Sequence, residues 1–425
     1  MTRGSAGSSL VCYLMGITDV DPIEWNIPLA RFLNPHRDDL PDVDIDIPHH
    51  KQELAMQRVF DRWPTQSARI SNYVLYREKS ARREAAKRLG AKGRLPKDID
   101  YTKLGVDEQE ARRIERKLMG KKRCISKHCG GVLVFDRALP KSLFRDDNLI
   151  LLDKNEVEDL EHLKVDILAN RGLSQLLEID PHTRLDAYPK QDDRVSDLLC
   201  RGDVLGVTQG ESPTMKRLFR ALQPTGVEDC VFASALVRPV AMEGRRKASW
   251  FRDWSEKGIQ KNAIVYEDDA IHKIMKLIGI SPYEADMYRR AFAKKNEEKM
   301  MQFMARLGDH PDKHDIYEQM QSLSGFGLCR AHAVNLGRLI WALAYHKVYN
   351  PKEFWRACLK HCQGSYARWV YRNEAKRAGW DLRDLGFDNW ITEDPVESFK
   401  QHGAWNSPGF LPNMGLQNLF LDKFQ

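Results

Sequence analysis

The sequence predicts an α+β protein, and three observations carry that expectation. Asp42, Asp44 and Asp46 alternate with Val43, Ile45 and Ile47 between Pro41 and Pro48. A period of two belongs to a strand with one acidic and one apolar face, bracketed by prolines at its ends. Leu10-Val11-Cys12-Tyr13-Leu14 follows a glycine- and serine-rich start and reads as a helix. Two stretches, residues 77–94 and 112–123, mix Lys and Arg with Glu, Ala and Leu and read as basic helices. With 425 residues, 42% hydrophobic and 30% charged, the chain is long enough for two to four domains around real cores.

The first element is Thr2-Arg3-Gly4-Ser5-Ala6-Gly7-Ser8-Ser9. Glycines let a backbone approach an anion, and a helix N-terminus behind them adds donors and a favourable dipole. Ser5, Ser8 and Ser9 can donate hydroxyl hydrogen bonds or cap that helix, and Arg3 offers a bidentate phosphate partner. The same string also fits a flexible start before a capped helix; beside a row of aspartates, a triphosphate cradle is the preferred reading. Arg31 and Arg37 stand just upstream of that row, within reach of a phosphate, and fit surface ion pairs equally well.

In the acidic strand, three like charges repel, and a divalent cation relieves them. Oxygen ligands suit Mg²⁺, held by one or two carboxylates plus substrate phosphates. The competing reading is a solvated edge strand charged against aggregation.

The basic helices contribute to a net charge of +7. Clustered Lys and Arg attract phosphates whatever the base sequence. The plainer alternative is a pair of solvated helices with Glu–Arg pairs one turn apart. Eight cysteines form no Cys-x-x-Cys pair. Cys124, His128 and Cys129, like Cys358, His361 and Cys362, read as parts of a core with reduced, mostly buried thiols rather than zinc sites. Mean hydropathy is −0.55, no stretch spans a bilayer, and no signal peptide is visible, so a cytoplasmic protein without membrane contact is expected.

Taken together, Arg-Gly-Ser at 3–5, Gly-Ile-Thr-Asp-Val-Asp-Pro at 16–22, Arg-Phe-Leu-Asn-Pro at 31–35 and Pro-Asp-Val-Asp-Ile-Asp at 41–46 resemble, in order and spacing, the palm of C-family replicative DNA polymerases, the bacterial DNA polymerase III alpha subunits. Lys127-His128-Cys129-Gly130-Gly131-Val132 and Lys164-Val165-Asp166-Ile167-Leu168 continue the resemblance. Gln209-Gly210-Glu211-Ser212, Arg238-Pro239, residues 285–295, 325–332 and 349–354 are similar to the fingers.

The resemblance implies a polymerase-beta-like nucleotidyltransferase palm with mostly α-helical thumb and fingers. It divides the chain into palm (1–72), thumb (73–127), palm again (128–171), fingers (172–365) and a helical tail (366–425) that resembles the start of a helix-hairpin-helix region. Asp42, Asp44 and Asp166 match the catalytic carboxylates, with Asp46 beside them, on two Mg²⁺ ions. Arg3, Gly4, Ser5, Arg31, Arg37, Lys164, Arg289, Arg290, Lys294 and Lys295 fall where the incoming triphosphate would be held. Arg82, Arg83, Lys87, Arg88, Lys121, Lys122, Arg123, Lys127, Arg330 and His332 would face DNA.

The implied activity is extension of a primer 3′-hydroxyl on template DNA with dNTPs. Two alternatives stand beside it: a catalytically impaired core acting as a DNA-binding replication subunit, and a metal-dependent nuclease. Family members carry an N-terminal phosphoesterase-like domain before the glycine–serine loop and clamp-binding segments after the fingers. The resemblance reaches neither of these within the 425 residues, so a separate chain supplying the N-terminal region is an expected partner, and no sliding-clamp site is assigned. Thr2, Asn170, Val240 and Asp268 depart from residues usual in the family.

Overall fold

A computed structural model describes residues 1–36, 43–96, 98–146, 148–160, 162–182, 184–238, 264–321, 327–361 and 364–387. It divides into two compact units, the first built from residues 1–170 and 264–335, the second from 171–238 and 336 onward. The described architecture is mixed α and β, with one seven-stranded sheet.

That sheet belongs to the first unit. Its strands are β1 (Thr2–Arg3), β2 (Val43–Pro48), β3 (Ser67–Leu75), β4 (Lys122–Val134), β5 (Phe144–Asp146), β6 (Leu149–Asp153) and β7 (Lys164–Asn170), in the order β1-β2-β7-β4-β3-β6-β5. β2 and β7 run parallel with Ile45 opposite Ile167, so Ile45, Ile47, Val165 and Ile167 share one face. Helix α2 follows α1 (Leu10–Leu14) and spans Gln52–Arg62. Its Met56 and Phe60, four apart and therefore on one side, bury against Ile47, Val132, Val165 and Ile167. The apolar face is thus sealed, and the acidic residues of β2 and β7 are left on the other.

Between β3 and β4 the chain leaves the sheet as a hairpin of two helices, α3 (Glu78–Arg88) and α4 (Glu108–Leu118). It has its own small core of Ala85, Ala86, Tyr101 and Ala111. β3 and β4 pair as far as Leu75 with Lys122. The sheet therefore continues past both limits expected for the thumb, 73 and 127, because Tyr73, Val74 and Leu75 still pair with Ile125, Cys124 and Lys122. Helix α5 (Lys154–Asp159) closes the sheet's far end, where its Val157 packs with Ala68, Ile70, Leu133 and Ile150.

The rest of the first unit is helical, with helices Glu267–Ile278, Pro282–Lys294, Glu297–Leu307 and Lys313–Gln321 around Ile271, Tyr288, Phe292 and Phe303. The second unit is helical throughout its described residues apart from an isolated bridge. At its centre Glu211 is buried and accepts from the Gly206 and Ser365 amides and the Tyr371 hydroxyl. Burial pushes that carboxyl above its ordinary range, against the pull of these hydrogen bonds.

No described helix is long and apolar enough to cross a membrane. The described cysteines form no disulfide. Cys230, Cys329 and Cys358 are buried, whereas Cys124 and Cys129 are exposed, so the thiols are less buried than composition suggests.

Candidate active site

Asp44 and Asp166 lie far apart in sequence but occupy one rung of the β2–β7 ladder. Parallel neighbours in register sit about 4.8 Å apart, so two carboxylates stand side by side on the face opposite α2. Asp166 is 8% exposed. Its Oδ2 accepts from Lys164 Nζ at 2.8 Å. Its Oδ1 is buried and has no hydrogen-bond partner among the described residues. A bare buried carboxylate oxygen beside a second carboxylate costs free energy unless a cation compensates it. Hard oxygen donors of this kind fit Mg²⁺ or a similar divalent ion. Asp42 and Arg37 lie outside the described residues.

His128 borders the same oxygen, its Nδ1 3.5 Å from Asp166 Oδ1. Burial pushes this imidazole below its ordinary value and outweighs the opposing pull of Asp166. Gly131 pairs directly with Asp166 across β4 and β7, and only a missing Cβ leaves that space open.

Asp46 is turned to a different task. It is 1% exposed, and both of its oxygens receive Arg3 Nε, at 2.7 and 2.8 Å. Asn170 Nδ2 adds a contact at 3.3 Å. Asp46 and Arg3, expected on metal and triphosphate, are committed to each other, because β1 pairs with β2 and brings the guanidinium over a carboxylate that needs a counter-charge.

After Arg3 the glycine–serine loop turns at Gly4, whose φ of 57° suits a residue without Cβ. Residues 6–8 make a short 3-10 turn, and Ser9 caps α1 by accepting from Cys12 N. The helix behind the loop is only five residues long and buries none of them, a weaker anion site than the sequence suggests. Ser5, Ser8 and Ser9 are buried. The loop rests on the start of helix Arg330–Tyr349 and the residue before it: Cys329 Sγ donates to Gly4 O at 3.3 Å, and Asn335 Nδ2 to Thr2 O at 2.9 Å. Burial, with Asp268 nearby, pushes the Cys329 thiol up to about 12.

Two further arginines expected on phosphate are also internal. Arg31 Nη2 reaches Glu267 Oε2 at 2.6 Å, and Arg289 Nε reaches Asp286 Oδ1 at 2.7 Å, with the same Glu267 oxygen 3.5 Å from Arg289 Nη1. Arg289 is 4% exposed, and burial lowers its pKa; for Arg31 burial acts the same way, but Glu267 and Asp268 reverse the balance. Desolvated guanidiniums need such partners. Arg290 is half-buried, and Lys294 and Lys295 are exposed at the end of helix Pro282–Lys294.

Of the side chains expected to face DNA, Arg83, Lys87, Arg88, Lys121, Lys122, Arg123 and Lys127 are exposed. Arg82 instead joins α3 to α4 through Glu115, which also accepts from Tyr101. Arg330 pairs with Asp269 and lies over the Tyr266 ring, and His332 is half-buried. Glu–Arg pairs one turn apart do occur on both helices, at 84 and 88 and at 108 and 112.

His128, Asn170 and Glu267 were not among the expected site residues. His128 and Gly131 stand in the Lys-His-Cys-Gly-Gly stretch, which carries a signal; Asn170 is marked only as a departure from the residue usual in the family, and nothing local marks Glu267.

These features define a class: an α+β protein with an acidic, cation-suited site on a mixed sheet, next to a buried glycine–serine loop and a basic helical hairpin. Residues 1–169 match the family model described as the bacterial DNA polymerase III alpha NTPase domain, and residues 171–314 the one described as the bacterial DNA polymerase III alpha subunit finger domain. The chain belongs to the bacterial DNA polymerase III alpha subunit family. An error-prone DNA polymerase of Anaeromyxobacter dehalogenans (strain 2CP-1 / ATCC BAA-258) is 28% identical over 460 residues, covering 91% of this chain and 40% of that protein. The error-prone DNA polymerase 1 of Rhizobium meliloti (strain 1021) is 29% identical over 453 residues, 91% of this chain and 41% of the relative. The DNA polymerase III subunit alpha of Staphylococcus aureus (strain COL) is 28% identical over 478 residues, 98% and 44% respectively. The chain thus spans about two fifths of the length of these relatives.

Proposed function

We propose that this chain carries the template-directed DNA polymerase core of its family, adding dNTPs to a primer 3′-hydroxyl. The observation that carries the reading is Asp44 in register with Asp166, whose inner oxygen is left bare. In this reading the sheet is a palm of the polymerase-beta type, the α3–α4 hairpin a thumb and the later helices fingers. Asp44 and Asp166, with Asp42, would hold two Mg²⁺ ions. Bound there, such ions lower the cost of generating the attacking alkoxide and of the charge on the leaving pyrophosphate.

The protein's own part is positioning and electrostatics. Lys164 keeps Asp166 oriented through Oδ2. The Gly4–Ser5 turn, with Arg290, Lys294 and Lys295, is the proposed seat of the triphosphate. Exposed Lys87, Lys121, Lys122, Arg123 and Lys127 would contact phosphates of the primed template, where pairing and not the protein reads sequence.

The test is nucleotide incorporation on a primed template by purified protein, with a chelator control. Extension that requires metal supports the proposal. DNA binding without any incorporation would favour a DNA-binding replication subunit, which the separate basic hairpin also supports. Metal-dependent loss of DNA in the absence of nucleotides would favour the nuclease.

A further inference from the structure

β4 departs from regular pairing beside the acidic pair. Lys127 pairs with Ser71 and Val132 with Arg69, so His128–Gly131 stand opposite Ile70 alone. A bulge of this kind bends a strand and re-aims a side chain. Here it turns the His128 ring back on its own strand. The Gly131 N–H donates to Nδ1 at 2.7 Å, with the Gly130 N–H at 3.3 Å. A nitrogen that accepts in this way carries no proton, so the proton of the neutral ring sits on Nε2. Asp166 Oδ1, 3.5 Å from that Nδ1, therefore faces a lone pair and not a donor. Gly131 completes the arrangement: a Cβ there would stand 2.7 Å from Nδ1 and 3.2 Å from Oδ1.

We propose that His128 is a positioning residue for Asp166, held by the bulge so that Oδ1 is bordered without being hydrogen-bonded and remains available to a divalent cation. The proposal rests on Asp44 and Asp166 forming a cation site. Asparagine can place an oxygen near the Nδ1 position, accept the Gly131 N–H and still offer Oδ1 no proton. Glutamine places its polar end toward the Nε2 position and leaves the Gly131 N–H without that acceptor.

The experiment titrates Mn²⁺ alone into the full chain and counts the free ion by electron paramagnetic resonance, with unfolding midpoints taken in parallel. His128→Asn is expected to bind Mn²⁺ like the parent, whereas His128→Gln binds about ten-fold more weakly, the usual scale for an outer-shell partner. Equal affinities for these two variants would overturn the proposal. Should His128→Gln fail to fold, Gly131→Ala carries the test, since it retains the imidazole and crowds Oδ1; parental affinity there would also overturn it. Asp166→Asn is the reference. If it binds Mn²⁺ as the parent does, the cation site itself is refuted, a result distinct from failure at His128.

Discussion

The two aspartates at 44 and 46 have the same chemistry and share a strand face, yet their surroundings assign them different work. Asp46 is closed off by Arg3 and Asn170, so its charge is spent inside the protein. Removing one partner of a buried ion pair strands the other, a loss of roughly 3–5 kcal/mol when both are fully enclosed. Arg3 is about one-third exposed, so Arg3→Ala is expected to cost about 2 kcal/mol in urea unfolding. Loss of less than a few tenths would mean the pair contributes nothing to folding. Asp44→Asn is read on activity instead: primer extension is expected to be abolished, with DNA affinity within a few-fold of the parent. Normal extension by that variant would remove Asp44 from the metal site. The acidic strand itself is legible in the sequence, because a period of two with flanking prolines has few other solutions. The fate of Arg3 is not legible, since only the β1–β2 pairing brings it over Asp46. Nor is the bare oxygen of Asp166, which depends on a bulge and a glycine in a third strand.

Secondary elements show the same division between local pattern and tertiary demand. Helices α3 and α4 announce themselves by composition, but the ion pairs of Arg82 with Glu115 and of Arg31 with Glu267 do not, because no sequence rule reveals a partner 33 or 236 residues away. Glu211 is a comparable case in the second unit, with three donors converging on a carboxylate whose pKa burial raises. A group that holds its proton more tightly when folded contributes stability fully below its unfolded value, 4.5, and loses it as pH rises through the higher folded value. Unfolding free energy should therefore carry a component that falls above pH 4.5, by at most about 1.4 kcal/mol per pH unit. Glu211→Gln should remove that component while lowering stability overall, because an amide cannot accept from all three donors. Urea unfolding of parent and variant between pH 4 and 8 reads this out. Identical slopes would show that Glu211 is ionised at no cost in the fold.

On the scale of the whole molecule, charge is distributed far less evenly than its sum suggests. Residues 77–120 hold 14 Lys and Arg against 8 Asp and Glu, which is six of the chain's seven net positive charges. This segment leaves the sheet after Tyr76 and returns at Lys121, with Tyr76 N bonded to Lys121 O and Gly120 N to Tyr76 O. Its core of Ala85, Ala86, Tyr101 and Ala111 is separate from the clusters that hold the sheet together. The hairpin is therefore expected to be removable: replacing residues 77–120 by Asn-Gly, a turn suited to two antiparallel strands, should leave the sheet's unfolding transition in place. The same deletion removes exposed Arg83, Lys87 and Arg88 but leaves Lys121, Lys122, Arg123 and Lys127 in place, so part of the phosphate contacts should go with it. Each contact adds about 0.9 to the slope of log affinity against log salt, so a hairpin that grips two or three phosphates leaves a flatter slope, and weaker binding, when it is gone. Affinity measured between low and moderate salt on a primed duplex decides the matter. An undiminished slope in a folded deletion variant would mean that DNA is held by residues outside 77–120, Lys121 to Lys127 among them, and that the concentration of charge on α3 and α4 serves something other than the template.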